Sequence, residues 1–249
     1  MSSEKHSHSS QRMTIPSEDQ VPVSLVLTEG RQVTLRFAGP EDARDLVEIQ
    51  KQIVHENVAN VDDHVDTFEE CRARVLRTQP GNMWLVADAG GLVVGSMRLV
   101  EPGPNFLKHI RNLFIEIHHD WRGLGIGEAM IAAGAAWAVR NGVEMIALSV
   151  LASNPRARSL YERLGFIVTG HTPALVKRPD GSYADDTQMV WRFQATTTLM
   201  RADGAPFPHP LPAPSLQSMS KGESNIPAML FETKSTTERA VAHTKPMVR

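Results

Sequence analysis

Arg122-Gly123-Leu124-Gly125-Ile126-Gly127 is the segment with the clearest chemical meaning. Three glycines alternate there, and an arginine precedes them. Glycine lets a backbone turn tightly and approach a ligand closely. A long Ala-rich run follows, so the loop opens a helix. The N–H groups of a first helical turn lack partners within the helix, and the dipole adds partial positive charge. Such a loop binds anions, and a diphosphate is its natural occupant. Arg122 adds a cation suited to phosphate oxygens. The Walker loop would need Gly-Lys-Ser/Thr, which is absent, so ATP or GTP hydrolysis is disfavoured. The dinucleotide fingerprint would need a small residue where Glu128 stands, or glycine where Met130 stands. Nicotinamide-dependent oxidoreduction is weakened accordingly.

Glu116 stands between Ile115 and Ile117, just upstream of the loop. A carboxylate among apolar neighbours has a raised pKa and accepts a proton near neutrality. It is a candidate base, acting directly or through a water; a structural role is equally open. His118-His119-Asp120 invites a metal reading. Adjacent strand residues point to opposite faces and chelate poorly, so no metal is expected. Cys71 is the single cysteine, which forbids an intrachain disulfide and suggests a reducing compartment. It falls on an early helix, so a covalent thiol intermediate is not expected.

These residues need elements to hold them. Val33–Phe37 alternates as a strand, and Gly39-Pro40-Glu41-Asp42 starts a helix carrying Leu46, Val47 and Ile49 inward. A second helix spans Thr67–Thr78. Met83–Ala87 and Leu92–Val100 flank Asp88-Ala89-Gly90-Gly91, a hairpin. Arg111–His118 is a strand, Leu124–Arg140 a helix closed by Asn141-Gly142, and Met145–Val150 a strand. Asn154–Leu164 is a helix closed by Gly165. Phe166–His171 and Thr187–Phe193 are the last strands, with a turn at Pro179-Asp180-Gly181. Strand–helix–strand–helix–strand from 111 to 171 requires a crossover and a parallel pair inside a mixed sheet.

The 249 residues carry 26 Lys and Arg against 28 Asp and Glu, a net charge of −2, which disfavours a nucleic-acid clamp. No signal-peptide run and no span of apolar residues long enough for a membrane occurs, so a soluble, cytoplasmic protein is expected. Residues 1–30 read as a mobile arm, 31–194 as the folded domain, and 195–249 as a Pro-containing disordered tail. Ile226–Phe231 is a short apolar patch within that tail.

Arg122, Gly125 and Gly127 match Arg-x-x-Gly-x-Gly, which resembles the acetyl-CoA pyrophosphate loop of the GNAT superfamily of N-acetyltransferases. Asn154, Ala157, Leu160, Tyr161, Gly165 and Phe166 match a second signature of that family, Asn-x-x-Ala-x-x-Leu-Tyr-x-x-x-Gly-Phe. The resemblance implies an α/β (α+β) GNAT-like fold: a twisted mixed sheet, flanking helices and two central parallel strands that splay apart. It implies that acetyl-CoA, as co-substrate, is held by Arg122, Gly123, Leu124, Gly125, Ile126 and Gly127. Its pantetheine arm would pair with the strand backbone near Ile117 and His119. An N–H near Ile117 would stabilise the oxyanion. Asn154 would bond the pantetheine amides, a role compatible with capping its helix. Arg156, Arg158 and Arg163 are candidates for the ribose 3′-phosphate. Tyr161 falls at the family position of the general acid, although packing against Leu164 would explain it too. The implied activity is direct acetyl transfer to a primary amine of a small molecule or protein; the alternative is a non-catalytic acyl-CoA-binding module. Homodimers are common in the family. The implied acceptor pocket includes Glu56, Asp62, Asp63, His64 and a 172–186 loop, and acids at 62, 63, 66, 69 and 70 would attract a cationic amine.

Overall fold

Val33, Leu35, Met83, Leu85, Ala87, Met97 and Leu99 recur at alternate positions and are all buried on one face of a sheet. Trp84, Val86 and Val93 are buried on the other. A computed structural model describes residues 23–27, 30–56, 64–78 and 80–193. Eight strands form one sheet: β1 (Val23–Val26), β2 (Gln32–Phe37), β3 (Met83–Asp88), β4 (Val93–Val100), β5 (Ile110–Ile117), β6 (Met145–Leu151), β7 (Ile167–Lys177) and β8 (Tyr183–Arg192). Their order is β1-β2-β3-β4-β5-β6-β8-β7. Helices α1 (Ala43–Glu56) and α2 (Phe68–Leu76) supply the cluster on one face; α3 (Ile126–Arg140) and α4 (Pro155–Arg163) supply the other. This is the mixed, helix-flanked sheet that the sequence implies.

β5 and β6 are parallel, and they pair only over Ile110↔Met145, Arg111↔Ile146 and Asn112↔Ala147. Beyond Asn112 the two strands separate. β5 stays paired with β4 as far as Gly95↔Ile117. The split therefore opens between β5 and β6 at their C-terminal ends. α3 crosses behind it, with Gly134 against Met83 and Met97 of the sheet.

Local chemistry explains the elements. α2 starts with a capping box: Glu70 N–H donates to Thr67 Oγ1, and Thr67 N–H to the Glu70 carboxylate. Pro40–Asp42 is a 3-10 turn leading into α1. Asp42, 5% exposed, holds that turn. It accepts two bonds from the Arg36 guanidinium, at 2.8 and 2.7 Å, and one from Gly39 N–H at 2.8 Å. Asp42→Ala removes all three bonds, and although Arg36 keeps Asp88 and Phe37 O as acceptors, we expect a loss of about 1–3 kcal/mol in urea unfolding.

Two boundaries differ from expectation. Val23–Val26 belongs to the sheet, paired antiparallel with β2, although it falls in the segment read as an arm. Only Leu25 of it is buried, so its apolar pattern is weak. The 172–186 stretch is not a loop: β7 and β8 pair through Thr172↔Asp186 and Lys177↔Tyr183. This hairpin is held by its ladder with little apolar burial, and a register shift around Ala174, at φ +52°, absorbs Pro173. The remainder of the arm, the tail, the Ile226–Phe231 patch, Asp62 and Asp63 lie outside the described residues. Among the described residues no helix is long and apolar enough to cross a membrane.

Candidate functional site

Gly125 caps α3 from the left-handed region, at φ +91°, with no side chain to occupy the helix end. The first N–H to bond back is that of Ala129, donating to Gly125 O at 3.0 Å. The N–H groups of Ile126, Gly127 and Glu128 therefore lie ahead of the helical ladder. Gly123 is also left-handed, at φ +83°, and a Cβ there would stand 2.8 Å from the Arg156 guanidinium. The loop is thus a main-chain cradle with Arg156 over it.

The cradle opens into a cleft of about 660 Å³. The cleft is lined by Glu116 and Ile117 of β5, the whole of Arg122–Gly127, and Asn154, Arg156 and Tyr161 from the α4 region. Strand alternation aims its backbone groups. His118 N–H donates to Val94 O, so even-numbered β5 residues bond β4. The N–H and C=O groups of Ile115 and Ile117 consequently face the gap where β6 has departed.

Arg122 sits differently from expectation. Its Nε donates to Ile117 O at 2.9 Å and its Nη1 to Glu56 at 2.8 Å. It ties the loop to β5 and α1 rather than standing free, and only Nη2 is buried without a partner among the described residues. Glu56, read as a pocket residue, completes this tie. Burial raises its pKa, but hydrogen bonds from Arg122 and Gln52 outweigh that and hold it below the usual carboxylate range. Gln52 also accepts from His119 N–H at 3.2 Å. His119 therefore does not offer that donor to the gap, and it does not line the cleft. No local signal pointed to Gln52 or to the Glu56 tie, because both partners come from α1.

Burial pushes the Glu116 carboxyl above its usual range, against the lowering effect of Arg98 and Arg74. Tyr161 is 8% exposed, packed on Phe166 at 5.6 Å between ring centroids. Burial pushes its phenol up to about 12, so it stays protonated. Asn154 Oδ1 accepts from Ala157 N–H at 3.1 Å, which is the helix cap, while the residue also lines the cleft. Arg158 is outside the lining; it pairs with Glu162 at 2.9 Å on the surface of α4. Arg163 lines the cleft.

The strand ends at Ile117, so the alternation argument for His118 and His119 fails. The chain turns into a 3-10 segment, His119–Trp121, and the two imidazoles stack at 4.5 Å. With Asp120 they offer three grouped donor atoms. Two of the acids expected to attract a cationic amine are structural instead. Asp66 pairs with Arg74 and bonds Gln50, and Glu70 caps α2. Cys71 is fully buried, and burial raises its thiol to about 11. We expect it to react with a thiol-specific reagent only at the global unfolding rate, which a stopped-flow absorbance trace would read.

A sequence profile of the GNAT acetyltransferase family matches residues 49–166. No curated protein matches. Among solved structures, a GCN5-related N-acetyltransferase from Kribbella flavida is 27% identical, with a TM-score of 0.58 over 65% of this chain and 98% of its own. yncA, a putative acetyltransferase from Salmonella typhimurium solved with acetyl-CoA, is 22% identical, with a TM-score of 0.62 over 68% and 98%. A phosphinothricin acetyltransferase of the GNAT superfamily from Sinorhizobium meliloti, in complex with acetyl-CoA, is 22% identical, with a TM-score of 0.62 over 71% and 96%. The matched segment runs from α1 through the glycine loop to the end of α4, the parts that build the cleft. Residues 49–166 of this chain thus match the GNAT family of acetyltransferases, and the sheet has the fold of these solved acetyltransferases.

Proposed function

We propose that the chain transfers the acetyl group of acetyl-CoA directly to a primary amine of a small molecule or protein. The observation that carries this reading is the placement of the unpaired α3 N-terminus at the mouth of the split, with Glu116 and Tyr161 lining the same cleft. The residues fit the ligand. Gly125 leaves the helix end open, the N–H groups of Ile126 and Gly127 supply donors for a diphosphate, and Arg156 and the free Nη2 of Arg122 supply charge. Bound there, acetyl-CoA supplies an activated acyl thioester. Ile115 offers main-chain groups to the pantetheine arm, next to Ile117, whose carbonyl is bonded by Arg122 Nε, and Asn154 stands beside its path.

Glu116 takes the proton from the incoming ammonium group, leaving a neutral amine to attack the acyl carbon. The Ile117 N–H faces the developing oxyanion. Tyr161 gives its phenolic proton to the departing thiolate, so CoA leaves as a thiol. The attacking nitrogen then loses a second proton, which replaces the one Tyr161 gave to the thiolate, and Glu116 releases the first to solvent.

Calorimetry with acetyl-CoA, followed by thiol detection over an amine library, tests this. Binding with thiol release only when an amine is present is the expected result. Binding without release for any amine would instead support an acyl-CoA-binding module. No heat at saturating acetyl-CoA would end the reading.

A further inference from the structure

Arg98 makes no salt bridge among the described residues; the carboxylate that acts on its charge is that of Glu116. Arg98 lies on β4 and faces the α1–α2 side of the sheet. Its guanidinium stacks 5.2 Å from the Trp84 ring and 5.0 Å from the Phe114 ring. The neighbouring Arg74 is neutralised by Asp66. Stacking fixes the plane of the guanidinium and leaves its N–H edge for another acceptor. Burial lowers the Arg98 pKa, and the nearby Glu116 carboxylate offsets this only in part.

Register places this cation relative to the split. Trp84↔Arg98↔Phe114 is one row across β3, β4 and β5, and Val86↔Ser96↔Glu116 is the next. Arg98 and Glu116 are thus diagonal neighbours, roughly 7–8 Å apart at the backbone. Across the gap the rows continue as Ser149↔Gln188 and Leu151↔Asp186. Arg98 and Phe114 lie outside the cleft lining, one row beyond Glu116, and Phe114 is 47% exposed, so the face is open beside Arg98. A fixed cation therefore stands one row from the carboxylate that we assign to the amine.

We propose that Arg98 binds a carboxylate carried by the acceptor itself, which makes the acceptor an amino acid: amine toward Glu116, carboxylate on Arg98. This rests on the acetyltransferase reading and narrows it. Ionised Glu116 would repel the carboxylate and attract the ammonium, so the pair sets the orientation of a zwitterion. A planar guanidinium offers a carboxylate two parallel bonds, and an amide cannot match that charge.

The test compares the common α-amino acids with their primary amides, by titration into CoA-saturated protein and by acetyl transfer. We expect at least one amino acid to bind and to be preferred over its amide by about tenfold or more in kcat/KM. Arg98→Met should bring that preference close to one, with acetyl-CoA affinity and Tm retained. Arg98→Lys keeps the charge without the fork, and we expect it to keep only part of the preference. Should Arg98→Met not fold, the lysine variant reads the same quantity. The proposal is overturned if amides perform as well as acids, if the preference survives in the variants, or if no amino acid binds. A failure of acetyl-CoA to bind would instead remove the underlying reading. Amino-acid titration into the free protein, wild type against Arg98→Lys, then decides the carboxylate site by itself.

Discussion

Tyr161→Phe should lower kcat by about 10²-fold or more while leaving the acetyl-CoA dissociation constant unchanged. The variant keeps the ring that packs on Phe166, so the core is not disturbed. It removes only the hydroxyl, and with it the one proton donor that α4 brings to the cleft. A phenol raised to about 12 is fully protonated across the neutral range. Wild-type kcat should accordingly show no decline from tyrosine ionisation below pH ~10. A phenylalanine variant that turns over a confirmed acceptor at the wild-type rate at every pH would return Tyr161 to the core.

What could be read from the sequence is local. Gly123 and Gly125 need left-handed torsions, and that demand is written in residue type. Thr67 with Glu70, and Asn154 with Ala157, are caps whose partners lie three residues away. The parallel pair followed from the alternation of element types. What could not be read is remote or two-sided. Arg122 meets Glu56 across 66 residues, and no spacing encodes that. The β7–β8 hairpin exposes most of β7, so it has no apolar period to detect. His118 and His119 looked like strand neighbours because the turn after Ile117 carries no glycine or proline until Gly123. Arg98 gave no signal, since one arginine in a strand is ordinary until both flanking rings are in place.

Glu116→Gln should move activity and stability in opposite directions. The amide keeps the shape of the side chain but cannot take a proton from an ammonium group, so kcat/KM should fall by about 10²–10³-fold. The acidic limb of the wild-type kcat/KM profile should lie above the ordinary carboxylate range, because burial raises Glu116. Stability follows from the same shift. The folded protein holds this proton more tightly than the unfolded chain does. The stability that Glu116 contributes is complete below its unfolded pKa and is lost as pH rises through the folded value. Glutamine resembles the protonated form and has nothing to lose. The variant should match the wild type in acid and exceed it at pH 8 in urea unfolding. The opposite order at pH 8 would mean that attraction to Arg98 and Arg74 exceeds the cost of burial. The carboxylate would then be held ionised with a lowered pKa, an ion pair rather than a base.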